Sequence, residues 1–338
     1  MNLLSQHPGQ ANQSDAGDDY SRNFHRIRGS LRDSSGRTYA EFVGNLRPNY
    51  LRVWFDIFSG YFALILTLAA LVSVNGPLFL KFLACGAASI SVGYWIAYLQ
   101  LFMHEAAHYN LAKNRPRNDL LANLFVCAIG AQEVSRYRSI HFQHHRALGT
   151  TADTENSYLN ALTFRFLAEV LFGIRSFRVF RHRNQTVQKE GTRSYLSPWL
   201  IETILIHAGI ILGAVYLARI ELAVSWLAGW LLAFPFWGTL RNILEHRSEA
   251  IVGEIDDFCE DHGPFTRIFG NDPISSTFGG AGFNRHLLHH WEPQVSYTRL
   301  PDLEIFLMHT AMRNVVNARR SSYYRCFVTL LKRAATRA

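Results

Sequence analysis

The sequence predicts an all-α integral membrane protein, with four transmembrane helices in two hairpins and a cytoplasmic helical cap. Three observations support this fold class. The composition is 49% hydrophobic and only 18% charged. The apolar residues are concentrated in four runs, each long enough to cross a hydrocarbon layer of about 30 Å as a helix. Lys and Arg residues are distributed very unevenly around those runs.

The four apolar runs form two pairs, and each pair predicts a helical hairpin. Residues 55–74 and 79–102 are separated by Asn75-Gly76-Pro77, a sequence typical of a tight turn. A second pair follows at residues 198–218 and 222–240, with only three residues between the two runs. Four spans place both termini on the same side of the membrane.

The basic residues predict which side of the membrane that is. Of 34 Lys and Arg residues, 7 precede the first span, 13 lie between the two pairs and 12 follow the fourth span. Because basic residues near span ends are retained in the cytoplasm, we expect both termini and the central loop to be cytoplasmic. A basic face against anionic lipid headgroups also accounts for the net charge of +8, with no nucleic-acid partner.

The rest of the chain divides into three predicted parts. Residues 1–45 are expected to form a disordered or weakly ordered cytoplasmic arm that is not a cleaved signal peptide. Residues 46–310 form the membrane domain, and residues 311–338 are a basic C-terminal segment.

Within the central loop, the apolar stretch 118–131 is too short to span and is expected to lie under the membrane surface or dip into it. Residues 162–183 combine aromatic residues and leucines with five arginines, which predicts an amphipathic helix in the membrane interface.

Nine of the fifteen histidines fall into four clusters on the predicted cytoplasmic side. Spacings of three and four residues place the members of each cluster along one helical face. Neutral imidazole binds zinc, iron, copper and nickel, so the clusters predict a metal site. The clusters occur in the sequences HEAAH, HFQHH, NILEH and HLLHH. Their histidines are His104, His108, His141, His144, His145, His246, His286, His289 and His290.

The number of histidines favours two metals over one. HEAAH alone also fits a membrane zinc peptidase in which Glu105 is the general base, and this stays a remote alternative. One catalytic zinc uses three protein ligands, which would leave about six of the clustered histidines without a role. Two metals sharing nine imidazoles would each receive four or five, as in a redox dimetal site.

The three boxes HEAAH, HFQHH and HLLHH, in this order around two predicted hairpins, resemble those of the membrane fatty acid desaturase and hydroxylase family. The resemblance covers about residues 50–305. The flanking sequences HFQHHRALGTTADTE and HLLHHWEPQVSYTRLP agree with it. It implies two iron ions held by histidines alone, with His246 as the extra histidine after the fourth span. Asn242 stands four residues before it, at the spacing of an Asn that holds a metal-bound water in similar acyl desaturases.

The resemblance implies a fatty acid desaturase-like oxidoreductase that uses O2 as co-substrate. It would introduce a double bond into an acyl chain carried as a lipid, CoA or carrier-protein ester. Electrons are expected from a separate protein of the ferredoxin, rubredoxin or cytochrome b5 type, since no such segment is fused to the chain. A hydroxylase or ketolase of the same superfamily is an alternative, and so is a desaturase of a small secondary metabolite such as dihydrorhizobitoxine. With no organellar signal, a bacterial inner membrane is the working assumption.

Carboxylates are expected beside the metal ligands. Glu105, Glu245 and Glu292 are placed to accept the free ring N–H of a ligand histidine and so fix its tautomer. No catalytic residue is predicted beyond the metal ligands.

Overall fold

The computed structural model describes residues 24–175, 178, 198–247 and 265–335. It is 74% helical, and the described ranges contain no β-strand beyond two isolated bridges. The α-helices in chain order are α1 Phe24–Ile27, α2 Tyr39–Gly44, α3 Tyr50–Val72, α4 Leu78–Ala107, α5 Arg115–Ala122, α6 Val134–Ala147, α7 Phe164–Leu171, α8 Pro198–Tyr216, α9 Ile220–His246, α10 Pro273–Phe278, α11 His286–Trp291, α12 Leu300–Met308, α13 Arg313–Ala318 and α14 Tyr323–Ala335.

Four of these helices, α3, α4, α8 and α9, are long and apolar enough to cross a membrane. In their most apolar windows only 17% to 39% of the residues are buried inside the protein, so most of their apolar surface faces outward. Outward-facing apolar side chains are stable in a hydrocarbon environment and costly in water. The chain is therefore an all-helical, multi-pass membrane protein, as predicted.

The observed spans differ from the predicted ones mainly at their ends. α3 begins at Tyr50 rather than at residue 55, where the Asn49 side chain accepts a hydrogen bond from the Arg52 N–H and caps the helix. α4 continues five residues beyond the predicted end, through Ala107. A helix of 30 residues is about 45 Å long, against a hydrocarbon core of about 30 Å. The polar last turns of α4 therefore extend past the hydrocarbon, which hydropathy alone does not register.

α4 is the central helix, and it approaches α9 very closely. A Cβ built on Gly93 of α4 would lie 2.4 Å from the Ala233 Cβ and 2.5 Å from the Phe234 backbone nitrogen. The contact falls at a π-helical turn within α9, Gly229–Ala233. Small residues allow helix backbones to approach in this way. The close contact brings the ends of α4 and α9, which carry two of the histidine clusters, side by side.

The apolar stretch after α5 does not span. It continues from α5 into a π-helical turn, Asn123–Cys127, and then a short 3₁₀ turn, Ala128–Gly130. Two side chains of the spanning helices bind its carbonyls: the Gln100 amide donates to Val126 O at 2.6 Å, and the Thr203 hydroxyl donates to Ala128 O at 3.2 Å. The stretch is thus fixed against α4 and α8.

Residues 24–44 of the predicted arm pack against the third histidine box and α12. Phe24 is fully buried and stacks on Trp291, the residue after the third histidine box, with ring centroids 4.3 Å apart. The Tyr39 hydroxyl donates to Glu292 at 2.9 Å, and Arg28 forms an ion pair with the same carboxylate. The apolar side chains of this segment thus cover the third box and one face of α12. The first 23 residues of the predicted arm lie outside the described residues.

The amphipathic segment of the central loop is helical in its first half. α7 buries Phe166 and Val170 on one face and exposes Phe164 and Arg165. Except for Arg178, the predicted helix beyond residue 175 lies outside the described part of the chain.

Candidate metal centre

The nine clustered histidines converge where the spans α4 and α9 end. They come from the end of α4 and the residue that follows it, from α6, from the end of α9 and from α11. All of them are buried except His145, which is partly buried. The sequence spacing therefore identified a set of side chains that the fold brings together.

The histidines form two groups of ring nitrogens, and within each group the nitrogens lie within 4.8 Å of one another. His286 adjoins the smaller group, because its Nε2 lies 2.9 Å from His246 Nε2 and 3.2 Å from His290 Nε2. The five-histidine group comprises His104, His108, His141, His145 and His289, and the three-histidine group comprises His144, His246 and His290.

The donor set fits metal ions. The Nε2 atom of His141 lies 3.0 Å from that of His108 and 2.9 Å from that of His145. Two ligand nitrogens that are each about 2.1 Å from one metal, with an N–metal–N angle of about 90°, lie about 3 Å apart, as these nitrogens do. Both ring nitrogens of His104 are buried without a hydrogen-bond partner among the described residues. A buried polar atom left unpaired is costly, and a bound metal would satisfy it.

Burial keeps these imidazoles in the form that binds metal. The pKa values of His108, His145 and His289 lie well below the usual value, first because burial disfavours the charged ring and second because neighbouring groups carry like charge. A neutral imidazole offers a free nitrogen lone pair. The sites are therefore ready to bind a cation at neutral pH.

Two carboxylates lie at the outer ring nitrogens of the second box, and one of them, Asp153, is hydrogen-bonded there. Asp153 is fully buried, and both of its oxygens lie 2.9 Å from His144 Nδ1. The Tyr158 hydroxyl donates to Asp153 at 2.5 Å, and burial together with that carboxylate raises the pKa of Tyr158. Glu155 Oε1 lies 3.5 Å from His141 Nδ1. Asp153 therefore contacts a histidine of one group, and Glu155 a histidine of the other.

Sequence reasoning missed Asp153 and Glu155 as histidine partners, although both stand in the quoted HFQHHRALGTTADTE. It selected Glu105, Glu245 and Glu292 instead. In the structure Glu105 Oε1 is 3.8 Å from His104 Nδ1, too far for a hydrogen bond, and its other oxygen accepts from a backbone N–H at 3.2 Å.

The other two predicted carboxylates also bond elsewhere. Glu245 accepts from the Tyr323 hydroxyl at 2.8 Å, and Glu292 binds Arg28 and Tyr39. The predicted pairing of these glutamates with histidines is therefore corrected. Consecutive residues of a helix point about 100° apart, which turns Glu105 and Glu245 away from the histidines beside them.

Asn242 lies next to the histidines, on α9. Its side-chain oxygen accepts a hydrogen bond from the Tyr158 backbone N–H at 3.1 Å. Asn242 also lines a cavity of about 190 Å³ that lies against both histidine groups. The histidines that line this cavity are His104, His141, His144, His246 and His286.

Arg138 caps the C-terminal end of α4, next to the first histidine box. Its Nε donates to Ala107 O at 2.9 Å, and its guanidinium makes two bonds to Asp119, at 2.5 and 3.0 Å. A cation at a helix C-terminus stabilises the unpaired carbonyls there. Arg138 thus fixes the helix end from which His104 and His108 project.

Comparison with known proteins agrees with this geometry. No curated protein sequence matches the chain. A family model described as fatty acid desaturase matches residues 80–315. The matched region begins in α4 and contains all nine clustered histidines. Since the match covers more than half of the 338 residues, the chain belongs to the fatty acid desaturase family.

Proposed function

We propose that this protein is an O2-dependent diiron desaturase. The observation that carries the proposal is the pair of adjacent, buried histidine groups at the ends of the membrane spans. The proposed ligands of the first iron are the five-histidine group, and those of the second are the three-histidine group with His286. Bound iron would supply the one-electron redox chemistry that O2 reduction and C–H oxidation require.

The protein's own residues position these ligands. Asp153 holds the outer nitrogen of His144, and Glu155 lies 3.5 Å from that of His141, so that the inner nitrogens face the proposed metal positions. Asn242 is proposed to orient a metal-bound water from its place beside the cavity. Glu105 and Glu245 support the same helix ends through their bonds to the Tyr297 backbone N–H and the Tyr323 hydroxyl.

The proposed reaction balances with a separate electron donor. A saturated –CH2–CH2– unit loses two hydrogen atoms and becomes –CH=CH–. O2 takes up those two hydrogens together with two electrons from the donor and two protons, and leaves as two waters. A ferredoxin, rubredoxin or cytochrome b5 type protein would supply the electrons, docking on the basic face of the chain.

The family suggests a lipid-type substrate, an acyl chain carried as a lipid, CoA or carrier-protein ester. A small metabolite is the second candidate, and the polar lining of the cavity at the histidines favours it. The same chemistry with oxygen transfer would give a hydroxylase or ketolase.

The proposed topology places the histidine sites and both termini on the cytoplasmic side. The spans then form two hairpins in a bacterial inner membrane, with residues 46–310 as the membrane domain and residues 311–338 as a basic C-terminal segment. The charge asymmetry of the loops supports this orientation.

Metal analysis tests the function directly. We expect elemental analysis of the detergent-purified full chain to give about two irons per chain, and Mössbauer spectra after iron-57 enrichment to report a coupled pair. A single zinc per chain, with no iron after anaerobic reconstitution, would instead favour hydrolysis at HEAAH.

His144→Ala and His289→Ala should each abolish oxidation while the protein still folds in the membrane.

A further inference from the structure

His207 is an ionisable side chain inside a span that the candidate metal centre does not use. It lies near the middle of α8 and is only 4% exposed. An ionisable group within a span is costly, and it faces the protein interior or a cavity when it serves a function. The contacts of this ring should therefore show what it does.

Two tryptophans of α9 fix the orientation of the His207 ring and the position of its proton. The Trp226 indole N–H donates to His207 Nδ1 at 3.0 Å, and the Trp230 ring stacks on the imidazole with ring centroids 3.8 Å apart. Because an indole N–H can only donate, Nδ1 is the acceptor, and the proton of the neutral imidazole is on Nε2. Nε2 is buried and makes no hydrogen bond of normal geometry among the described residues. The ring thus presents one fixed N–H donor.

The backbone next to this donor is the end of the apolar stretch 118–131. The carbonyls of Ala128 and Ile129, in its 3₁₀ turn, adjoin the His207 ring. The last carbonyls of a helix have no partner within that helix, and hydrocarbon offers none. Ala128 O already accepts from the Thr203 hydroxyl and from the Ala131 backbone N–H. Ile129 O is therefore the acceptor that remains for His207.

Side chains of two other spans bind the preceding carbonyls of the same stretch. The Tyr61 hydroxyl of α3 donates to Phe125 O at 2.6 Å. The Gln100 amide of α4 donates to Val126 O at the same distance. A Cβ built on Gly130 would lie 2.3 Å from Gln100 Oε1, so the end of the stretch packs directly against α4. The turn therefore contacts both α4 and α8.

The end of this stretch leads directly to the candidate metal centre. Gln132, two residues after the 3₁₀ turn, lines the cavity at the histidines. The Asn123 side chain, within the stretch, accepts from the backbone N–H of Val134, the first residue of α6, at 2.9 Å. α6 carries the second box, whose histidines belong to both histidine groups. A shift of the turn would therefore move the cavity wall and the start of α6 together.

We infer that His207 is a positioning residue for the metal centre. Its Nε2–H donates to Ile129 O and so holds the end of the apolar stretch at a fixed depth against α8. An N–H that is buried without a partner is costly, so this hydrogen bond stabilises the docked position of the turn. The effect on the histidines rests on the proposed function, whereas the hydrogen bond itself does not.

Cysteine reactivity of the purified full chain in detergent tests the inference. Cys127 lies in the apolar stretch, Cys326 lies in α14, and both are fully buried. In a chain whose other two cysteines are replaced by alanine, His207→Phe keeps an aromatic ring against Trp230 and removes the N–H. We expect N-ethylmaleimide to label Cys127 about ten-fold faster in His207→Phe than in the parent chain, because local opening becomes easier when a buried hydrogen bond is lost. The labelling rate of Cys326 should not change.

Two further variants separate the hydrogen bond from the shape of the side chain. His207→Gln carries an amide N–H close to the position of Nε2 and should return the labelling of Cys127 to near the parent rate. Leu205→Phe is the matched control on α8, at a side chain that is 67% exposed, and should leave both rates unchanged. Equal Cys127 rates in His207→Phe and the parent chain would overturn the inference. Faster labelling of both cysteines, or a His207→Gln variant as reactive as His207→Phe, would also overturn it.

The iron content of the same samples distinguishes this inference from the proposed function. Iron should fall in His207→Phe and recover in His207→Gln, because the second box contributes to both histidine groups. Selective labelling of Cys127 with unchanged iron would overturn the positioning role. Two irons in the parent chain, with no selective labelling of Cys127 in His207→Phe, would reject only the inference. Absence of iron from the parent chain would reject the proposed function, and the labelling rates would still decide whether the hydrogen bond forms.

Discussion

At the scale of single residues, Asp153 has the clearest structural effect on the candidate centre. It is fully buried, bonds the outer nitrogen of His144 and is itself bonded by Tyr158. A carboxylate in this position fixes the ring tautomer and raises the basicity of the inner nitrogen. Its bonds to a histidine go to His144 of the three-histidine group, so its loss should be felt unequally by the two proposed metals.

Asp153→Asn is expected to weaken metal binding by about 10- to 100-fold at the three-histidine group, because the buried negative charge opposite His144 is lost. Chelator competition followed by elemental analysis should show iron falling from about two per chain towards one. The five-histidine group should keep its iron. Asp302→Asn, on the exposed side of α12, is the matched control and should retain both irons; equal loss of both irons in Asp153→Asn would contradict this assignment.

The sequence predicted the histidines but not their partners, and the reason is physical. Histidines recur at helical spacing, so the pattern is local and visible. Asp153 and Glu155 reach His144 and His141 from the loop after α6, where helical spacing no longer applies. Glu105 and Glu245 instead bond the Tyr297 backbone, 192 residues away, and Tyr323. No local periodicity encodes such pairs.

At the scale of helices, the close contact of α4 with α9 aligns the first box with His246. The hydropathy pattern predicted the four apolar runs but not this contact, because one glycine in an apolar run carries no periodic signal. The packing of residues 24–44 is not predictable from hydropathy for a related reason. Their apolar residues are too few to indicate a core by themselves, and they pack against the distant third box, α12 and α13.

Gly93→Ala tests the helix contact. The added Cβ would overlap the backbone at Ala233 and Phe234, so α4 and α9 must move apart. Overpacking of this kind costs about 1 to 3 kcal/mol, against a helix-propensity gain of about 1 kcal/mol. We expect a lower Tm in detergent and a lower iron content.

Gly86→Ala is the matched control on the same helix, where a Cβ would meet nothing within 4 Å. Its Tm should be unchanged or higher, because alanine favours the helix more than glycine does. Equal Tm and iron content for the two variants would show that the α4 and α9 contact does not position the site.

At the scale of the whole molecule, the proposed orientation predicts which loops face each compartment. Single cysteines at the exposed positions Asn75 and Arg146, in a chain whose native cysteines are replaced by alanine, test it. In intact cells, a membrane-impermeant maleimide should label Asn75→Cys and should label Arg146→Cys only after lysis. The reverse labelling pattern would show that the topology is inverted. Labelling of both cysteines in intact cells would contradict the four-span arrangement.

Because the two histidine groups are assembled from α4, α6, α9 and α11, binding of the proposed metals would be coupled to folding. An ion that binds only the folded chain stabilises it by about 4 kcal/mol when its free concentration is a thousand times its dissociation constant. Without such an ion, both buried ring nitrogens of His104 lack a hydrogen-bond partner among the described residues. For the proposed diiron centre, we therefore expect iron starvation to increase the fraction of unfolded chains open to proteolysis, so that the cellular supply of the metal governs how long the protein survives as well as whether it can act.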